Sequence, residues 1–203
     1  MRRIISLDEV NDVRGRIARA RALAADRFRT AFEAGSVKAE GHLAIQAAAL
    51  IEVAEGTRVR GGGAIDYDIR GRDVTPFVVR GEPLFPHLTV VRTHEAVFEY
   101  FMIISEILAS PSWSVTKLIA SAEEYDAALR RMQQPQIVRA TFVSFLPAVD
   151  LRDDDTAMLE VTLHTRANEE RIERRLLALD GRNEFHFHSR ELIAEGRGGV
   201  GVN

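Results

Sequence analysis

Two histidines near the C-terminal end of the chain are separated by a single residue, a spacing that could support acid–base or metal chemistry. His186 and His188 are separated by one residue, and His164 lies in an earlier alternating segment. Imidazole titrates near neutral pH, so these histidines could transfer protons during hydrolysis of a phosphoester or of RNA. His186 and His188, together with His164 or Glu184, could instead ligate a metal ion. A third interpretation is a solvated polar surface without chemistry.

Alternating polar residues predict that these histidines share one face of an antiparallel sheet. Side chains two residues apart in a strand point to the same face. Such a face could bind a partner or ligand through hydrogen bonds. Phe185 and Phe187 are predicted to point inward, which disfavours the base stacking used by RNA-binding sheets. The predicted polar face consists of His87, Thr89, Arg139, Thr141, Glu160, Thr162, His164, Glu184, His186, His188 and Arg190.

The segment Pro86-His87-Leu88-Thr89 resembles one of the two H-x-[ST] strand motifs of the 2H phosphoesterases. In that family, two such motifs supply paired histidines for acid–base cleavage of cyclic phosphates. The second motif does not occur here, because neither His188-Ser189 nor His164-Thr165 has the spacer residue. The resemblance therefore covers one short segment and does not assign the chain to the family.

The composition is that of an ordinary globular protein. The chain has 203 residues, of which 46% are hydrophobic and 28% charged, enough to bury a core. A formal net charge of −3 argues against a general attraction to nucleic acid or to an anionic membrane. The absence of cysteine excludes disulfides, thiolate catalysis and cysteine-ligated zinc. No motif identifies a cofactor.

The distribution of apolar residues indicates a cytoplasmic protein without membrane spans. The basic start, Met1 to Ser6, is not followed by the apolar region of a secretory signal. The longest apolar run, Val97 to Leu108, is too short to cross a bilayer.

The N-terminal region, residues 1–85, is predicted to be helical with a β-hairpin. Ser6 and Glu9 form a capping box for a helix over 7–34 that stops at Gly35. A second helix is predicted over 42–55, and strands over 65–69 and 75–79. The first helix is long enough to favour packing against a second copy of the chain. Its apolar face consists of Val10, Val13, Ile17, Ala20, Ala24, Phe28 and Ala31.

Residues 86–195 are predicted to form a ferredoxin-like βαββαβ domain, an antiparallel sheet with helices on one face. Its strands are predicted over 87–92, 137–146, 157–165 and 183–192. Thr93 and the Ser121–Glu124 capping box predict two helices in its first crossover. Asn168 predicts a further helix ending near 179, before Gly181. Residues 196–203 are predicted to be a flexible glycine-rich tail.

The overall fold class is thus α+β, and the favoured function is a non-enzymatic binding or assembly module. The long first helix and the absence of a complete catalytic motif favour a homo-oligomer with a protein or nucleic-acid partner. The alternative is a histidine-dependent hydrolase of phosphoesters or RNA that uses His164, His186 and His188. In the binding hypothesis, the contact residues are Glu184, Arg190, His87, Thr89 and Arg139.

Overall fold

A computed structural model describes residues 1–36, 42–59, 78–79, 82–83, 88–108, 115–139, 144–166 and 169–197. These residues form a mixed α+β structure. In chain order, the elements are β1 (Arg2–Ile4), α1 (Leu7–Glu33), α2 (His42–Val53), β2 (Thr57–Val59), β3 (Val78–Val79), β4 (Glu82–Pro83), β5 (Leu88–Val90), α3 (His94–Leu108), β6 (Val115–Ile119), α4 (Ala122–Arg131), β7 (Gln133–Ile137), β8 (Ala148–Leu151), β9 (Ala157–Arg166), β10 (Glu169–Leu179) and β11 (Phe185–Arg197).

The chain divides into two discontinuous units. The sheet unit contains Met1–Val10, Ala109–Asp180 and Phe185–Asn203, and the helical unit contains Asn11–Leu108 and Gly181–Glu184. The predicted boundary at residue 85 stays a prediction, because residues 84–87 lie outside the described part of the chain. The strand predicted over 65–69 and most of the glycine-rich tail lie outside it too.

Helix α1 begins at the predicted capping box. The Glu9 amide donates to the Ser6 hydroxyl over 3.3 Å, and the Ser6 amide donates to the Glu9 carboxylate over 2.8 Å. After the helix, Gly35 adopts a φ of +67°, a conformation that glycine reaches without steric cost. The apolar face of α1 is buried within the chain, where Ala24 packs with Ile45 and Ala49 of α2.

The predicted helices α2 and α3 are confirmed. The Thr93 hydroxyl accepts from the Ala96 amide over 3.2 Å and so caps the first turn of α3. Most of α3 is buried, including Phe98 and Tyr100, which explains why its sequence is apolar nearly all round. Beside these helices, β2 and β5 form a small antiparallel pair.

Within the described residues, seven strands form one antiparallel sheet in the order β1-β8-β9-β10-β11-β7, and β6 also pairs with β9. Strands β9 and β10 are paired along ten positions, from Glu170 opposite Arg166 to Leu179 opposite Ala157. On β9, Leu159, Val161 and Leu163 are buried, as their alternation predicts.

Helix α4 packs on this sheet. Its predicted capping box forms, because the Glu124 amide donates to the Ser121 hydroxyl over 3.2 Å. Its Ala128 and the adjacent Met132 join a core cluster with Ile119, Ile172 and Ile193. This cluster fixes one end of the sheet beneath the helix.

The helix predicted between Asn168 and residue 179 is wrong, since Glu169–Leu179 is strand β10. The segment is rich in helix-forming Glu, Arg and Leu, and Glu170 and Arg174 have helical spacing. Pairing with β9 on one side and β11 on the other overrides these local preferences. The ferredoxin-like order is therefore not found among the described residues.

Two further predictions from the sequence differ from the structure. The strand predicted over 137–146 is displaced: β7 ends at Ile137 and β8 begins at Ala148, while 140–143 lie outside the described residues. Phe187, predicted to point inward, is 60% exposed. Strand β1 was not predicted at all, and it pairs with β8 from Arg2 opposite Asp150 to Ile4 opposite Ala148.

Candidate functional site

The central histidine of the predicted polar face, His164, is buried in the sheet and paired with a carboxylate. His164 is 6% exposed, and its Nε2 lies 2.8 Å from Oε1 of Glu170, which is 1% exposed. Arg166 Nε lies 3.2 Å from the same oxygen. Because β9 and β10 are consecutive antiparallel strands, the three side chains lie close together although they come from different strands.

Burial lowers the pKa of His164 below its usual 6.5. The hydrogen bond and the charge of Glu170 oppose this effect, whereas the positive charges of Arg166 and Lys117 add to it. The imidazole is therefore neutral at pH 7. Since an ionised carboxylate only accepts hydrogen bonds, the proton of the neutral ring lies on Nε2.

His186 forms a second histidine–carboxylate pair, and this one is accessible. Its Nε2 lies 2.8 Å from Oδ2 of Asp180, and the two side chains are 55% and 33% exposed. A carboxylate beside an imidazole can fix the orientation of the ring, as in the base of a hydrolytic site.

The structure does not bring the predicted catalytic histidines together. In the sheet, His164 is opposite Ile172 and His186 is opposite Ala178. Six residues of an extended strand separate these positions, a span of roughly 20 Å. His188 is two residues from His186 and is the extra residue at a register shift, because Phe187 and Ser189 pair with the consecutive residues Leu177 and Leu176.

The register shift also divides the predicted polar face. Arg190 is opposite Arg175, which is itself opposite Val161, so Arg190 lies on the side of the sheet away from Thr162 and His164. There its guanidinium is 3.6 Å from the buried carboxylate of Glu173. Strict alternation along β11 predicts Arg190 on the same face as the histidines. The extra residue at the register shift, His188, moves Arg190 to the other face.

The remaining predicted contact residues are dispersed. Arg139 is 57% exposed and forms an ion pair with Glu191. Thr89 is exposed on β5, and Glu184 is half-buried after the turn from β10. His87 and Thr141 lie outside the described residues.

The most accessible part of the sheet is a segment of β11 that we call the exposed β11 segment, residues His186 to Arg190. All its side chains are exposed, although a strand in a half-buried sheet normally hides alternate residues. Among the described residues, β7 pairs with β11 only beyond this segment, from Ala194 to Arg197. Within the described part of the chain, its side chains are thus exposed on both faces and no strand pairs with its outer edge.

A buried ion pair in the helical unit was not predicted from the sequence. Glu99 is 3% exposed, and its carboxylate accepts from the amides of Glu55 and Gly56 over 3.0 and 2.8 Å. Arg16 Nη2 lies 3.0 Å from the other carboxylate oxygen. The available signal was the position of Glu99 in the middle of the apolar sequence of α3, between Glu95 and Glu106. The pair joins α1 to α3, and so it holds these two helices in place.

Asn183 is a second residue whose role the sequence did not reveal. It is 3% exposed and adopts a φ of +65°, which asparagine tolerates better than most residues. Its side-chain amide donates to the Leu88 carbonyl over 3.0 Å, and its own carbonyl accepts from the Tyr100 hydroxyl over 2.6 Å. The sequence Asp180-Gly181-Arg182-Asn183 indicates a turn, but it does not indicate that Asn183 is buried or which residues it contacts.

No protein family, curated protein or solved structure matches the chain. Among the described residues, no helix combines the length and apolar character needed to cross a membrane.

Proposed function

We propose that this protein is a non-enzymatic binding and assembly module that associates with a second copy of itself through the exposed β11 segment. The observation that supports this function is the run of accessible side chains from His186 to Arg190 within a regular strand. Phe187, at 60% exposure, supplies an apolar contact at the centre of polar neighbours. Aromatic side chains of this kind are enriched where proteins bind each other.

Backbone geometry supports association at the edge of this segment. An uncovered strand edge offers amide and carbonyl groups that a second strand can pair with. Two identical edges can pair about a twofold axis, the commonest symmetry of protein oligomers. The register shift and the charged neighbours limit such pairing to a short length, so we expect a weak, concentration-dependent dimer.

The long helix that first suggested self-association contributes little to this proposal. Val10, Val13, Ile17, Ala20 and Ala24 are each at most 5% exposed, so the apolar face of α1 is already covered. The helix keeps one large apolar side chain at the surface near its end, Phe32, which is 52% exposed. Phe32 thus gives a matched control for Phe187.

Light scattering coupled to size-exclusion chromatography tests the proposal at several protein concentrations. We expect the wild type to approach a dimer mass at high concentration. Phe187→Ser should weaken the dimer, whereas Phe32→Ser should not. A monomer at every concentration contradicts self-association, and dissociation by Phe32→Ser alone assigns the contact to α1. A raised absorbance at 260 nm would instead indicate bound nucleic acid.

Hydrolysis is the second candidate function, supported by the Asp180–His186 pair because the imidazole is both oriented and accessible. We would measure cleavage of bis(4-nitrophenyl) phosphate and of single-stranded RNA. In this alternative, His186→Ala abolishes cleavage while the circular dichroism spectrum is unchanged. His164→Gln should leave cleavage intact because His164 is buried. Equal activity of His186→Ala, His188→Ala and the wild type would rule both residues out as catalysts.

A further inference from the structure

His164 is a titratable base inside the sheet unit, and it contacts Glu170. The negative charge of Glu170 is already balanced by the positive charge of Arg166. The side chains of His164 and Glu170 are more than nine-tenths buried, and the neutral imidazole donates to Glu170. The Glu170 carboxylate is neutralised by Arg166, whose Nε is 3.2 Å away. A proton added to His164 therefore introduces an excess positive charge at a buried position.

The neighbouring strand β6 carries a cation beside this position. In the β6–β9 ladder, Lys117 is directly opposite His164. Like charges that face each other across a sheet destabilise the pairing of their strands. The charged groups that act on the imidazole are Glu170 on β10, Arg166 on β9 and Lys117 on β6, and two of these three are positive.

Strand β6 is held to the sheet near His164 by fewer paired residues than β10 is. It pairs with β9 over five positions, from Val115 opposite Arg166 to Ile119 opposite Thr162. Ile119 is anchored in the core under α4, whereas Thr116 and Lys117 are exposed. A loss of pairing would therefore begin at Lys117 and spread toward Val115.

We propose that His164 makes strand β6 acid-sensitive, because protonation of the imidazole weakens the pairing of β6 with β9. The direction follows from linkage. Burial lowers the pKa of His164 in the folded chain, so an opened chain binds more protons below pH 6.5. The stabilisation that neutral His164 provides is complete above pH 6.5 and is lost as the pH falls through the lower pKa of the folded state.

Hydrogen exchange of the full-length protein at pH 7.5 and 5.0, corrected for the intrinsic pH dependence of exchange, tests this proposal. Amides in the β1–β8 pair serve as the internal reference. In the wild type, we expect acid to accelerate exchange in β6 roughly fivefold relative to that reference. His164→Gln keeps a hydrogen-bond donor for Glu170 but cannot titrate, so it should abolish the acceleration.

Two further variants make the result decisive. Lys117→Met retains His164 but removes the opposing cation, and should reduce the acceleration; this variant also serves if His164→Gln does not fold. His186→Gln is the matched control, since it removes an exposed histidine elsewhere in the sheet unit, and should respond as the wild type does. An unchanged β6 at pH 5.0 in the wild type, or an undiminished response in His164→Gln or in Lys117→Met, would overturn the proposal.

Discussion

At the scale of single residues, Gly56 shows how closely two elements approach in the helical unit. A Cβ atom added to Gly56 would lie 2.3 Å from Cβ of Ala96 at the start of α3, closer than atoms pack without displacement. The same glycine donates its amide to the buried Glu99 carboxylate. Its lack of a side chain therefore permits both the contact and the hydrogen bond.

We predict that Gly56→Ala destabilises the protein by about 2 kcal/mol, because the helix and the turn must separate to admit one methyl group. Chemical denaturation followed by circular dichroism measures the change. Gly181→Ala is the matched control, since a Cβ there meets no atom within 4 Å. Equal effects of the two substitutions would show that the close approach to Ala96 does not limit stability.

The residue scale also shows what the sequence could reveal about the candidate site. His164, His186 and Arg190 were identified as individual residues because titratable side chains stand out against apolar neighbours. Their mutual placement was not predictable, since the distance between the two histidines depends on the extended form of β10 and the face of Arg190 depends on the register shift between Leu176 and Leu177. One unpaired residue reverses the face of every residue beyond it.

At the scale of elements, helices with their own start and stop signals were predicted and long-range strand pairing was not. Helices α1 and α4 carry capping boxes, which are local and therefore visible in the sequence. Strand β10 has no such local signal, because its extended form depends on β9 and β11. Strand β1 escaped prediction for the same reason, as its partner β8 is distant in sequence.

Helix α1 contains an internal glycine whose replacement should stabilise it. Gly15 has a helical backbone, and a Cβ there would meet only the end of the Arg19 side chain, at 3.6 Å. We predict that Gly15→Ala raises the free energy of unfolding by roughly 0.5–1 kcal/mol, since alanine loses less backbone entropy in a helix. Thermal and urea denaturation would measure this gain. A loss of stability would indicate that the space beside Arg19 is not available.

At the scale of the whole molecule, many of the ion pairs among the described residues are exposed, whereas the Arg16–Glu99 pair is buried. Arg27–Glu52 and Arg29–Asp26 lie at the surface, where solvent weakens the attraction. The Glu99 carboxylate, by contrast, lies in the interior between Arg16 and two backbone amides. Overall stability should therefore depend far more on this one carboxylate than on the surface pairs.

We predict that Glu99→Gln costs about 3 kcal/mol, because Arg16 loses its buried partner and keeps only the exposed carboxylates of Asp12 and Glu55. Glu52→Gln, which removes an exposed carboxylate, should change stability by less than about 0.5 kcal/mol. Urea denaturation at low and at high salt checks both values, and the penalty for Glu99→Gln should persist at high salt because buried charges are poorly screened. If both substitutions had similarly small effects, the Arg16–Glu99 pair would contribute no more to the free energy of unfolding than a surface ion pair does.

The hydrogen bonds of Asn183 have a consequence for how the chain folds while it is being synthesised. Tyr100 and Leu88 precede Asn183 by 83 and 95 residues, so a ribosome exposes the first two long before it adds the third. Until the turn after β10 has been synthesised, the Tyr100 hydroxyl and the Leu88 carbonyl lack Asn183 as a partner and stay hydrated. Strand β1 likewise has no pairing partner until β8 has been synthesised. Both units of the nascent chain are thus completed only after residues distant in sequence have been synthesised, Asn183 for the helical unit and β8 for the pairing of β1.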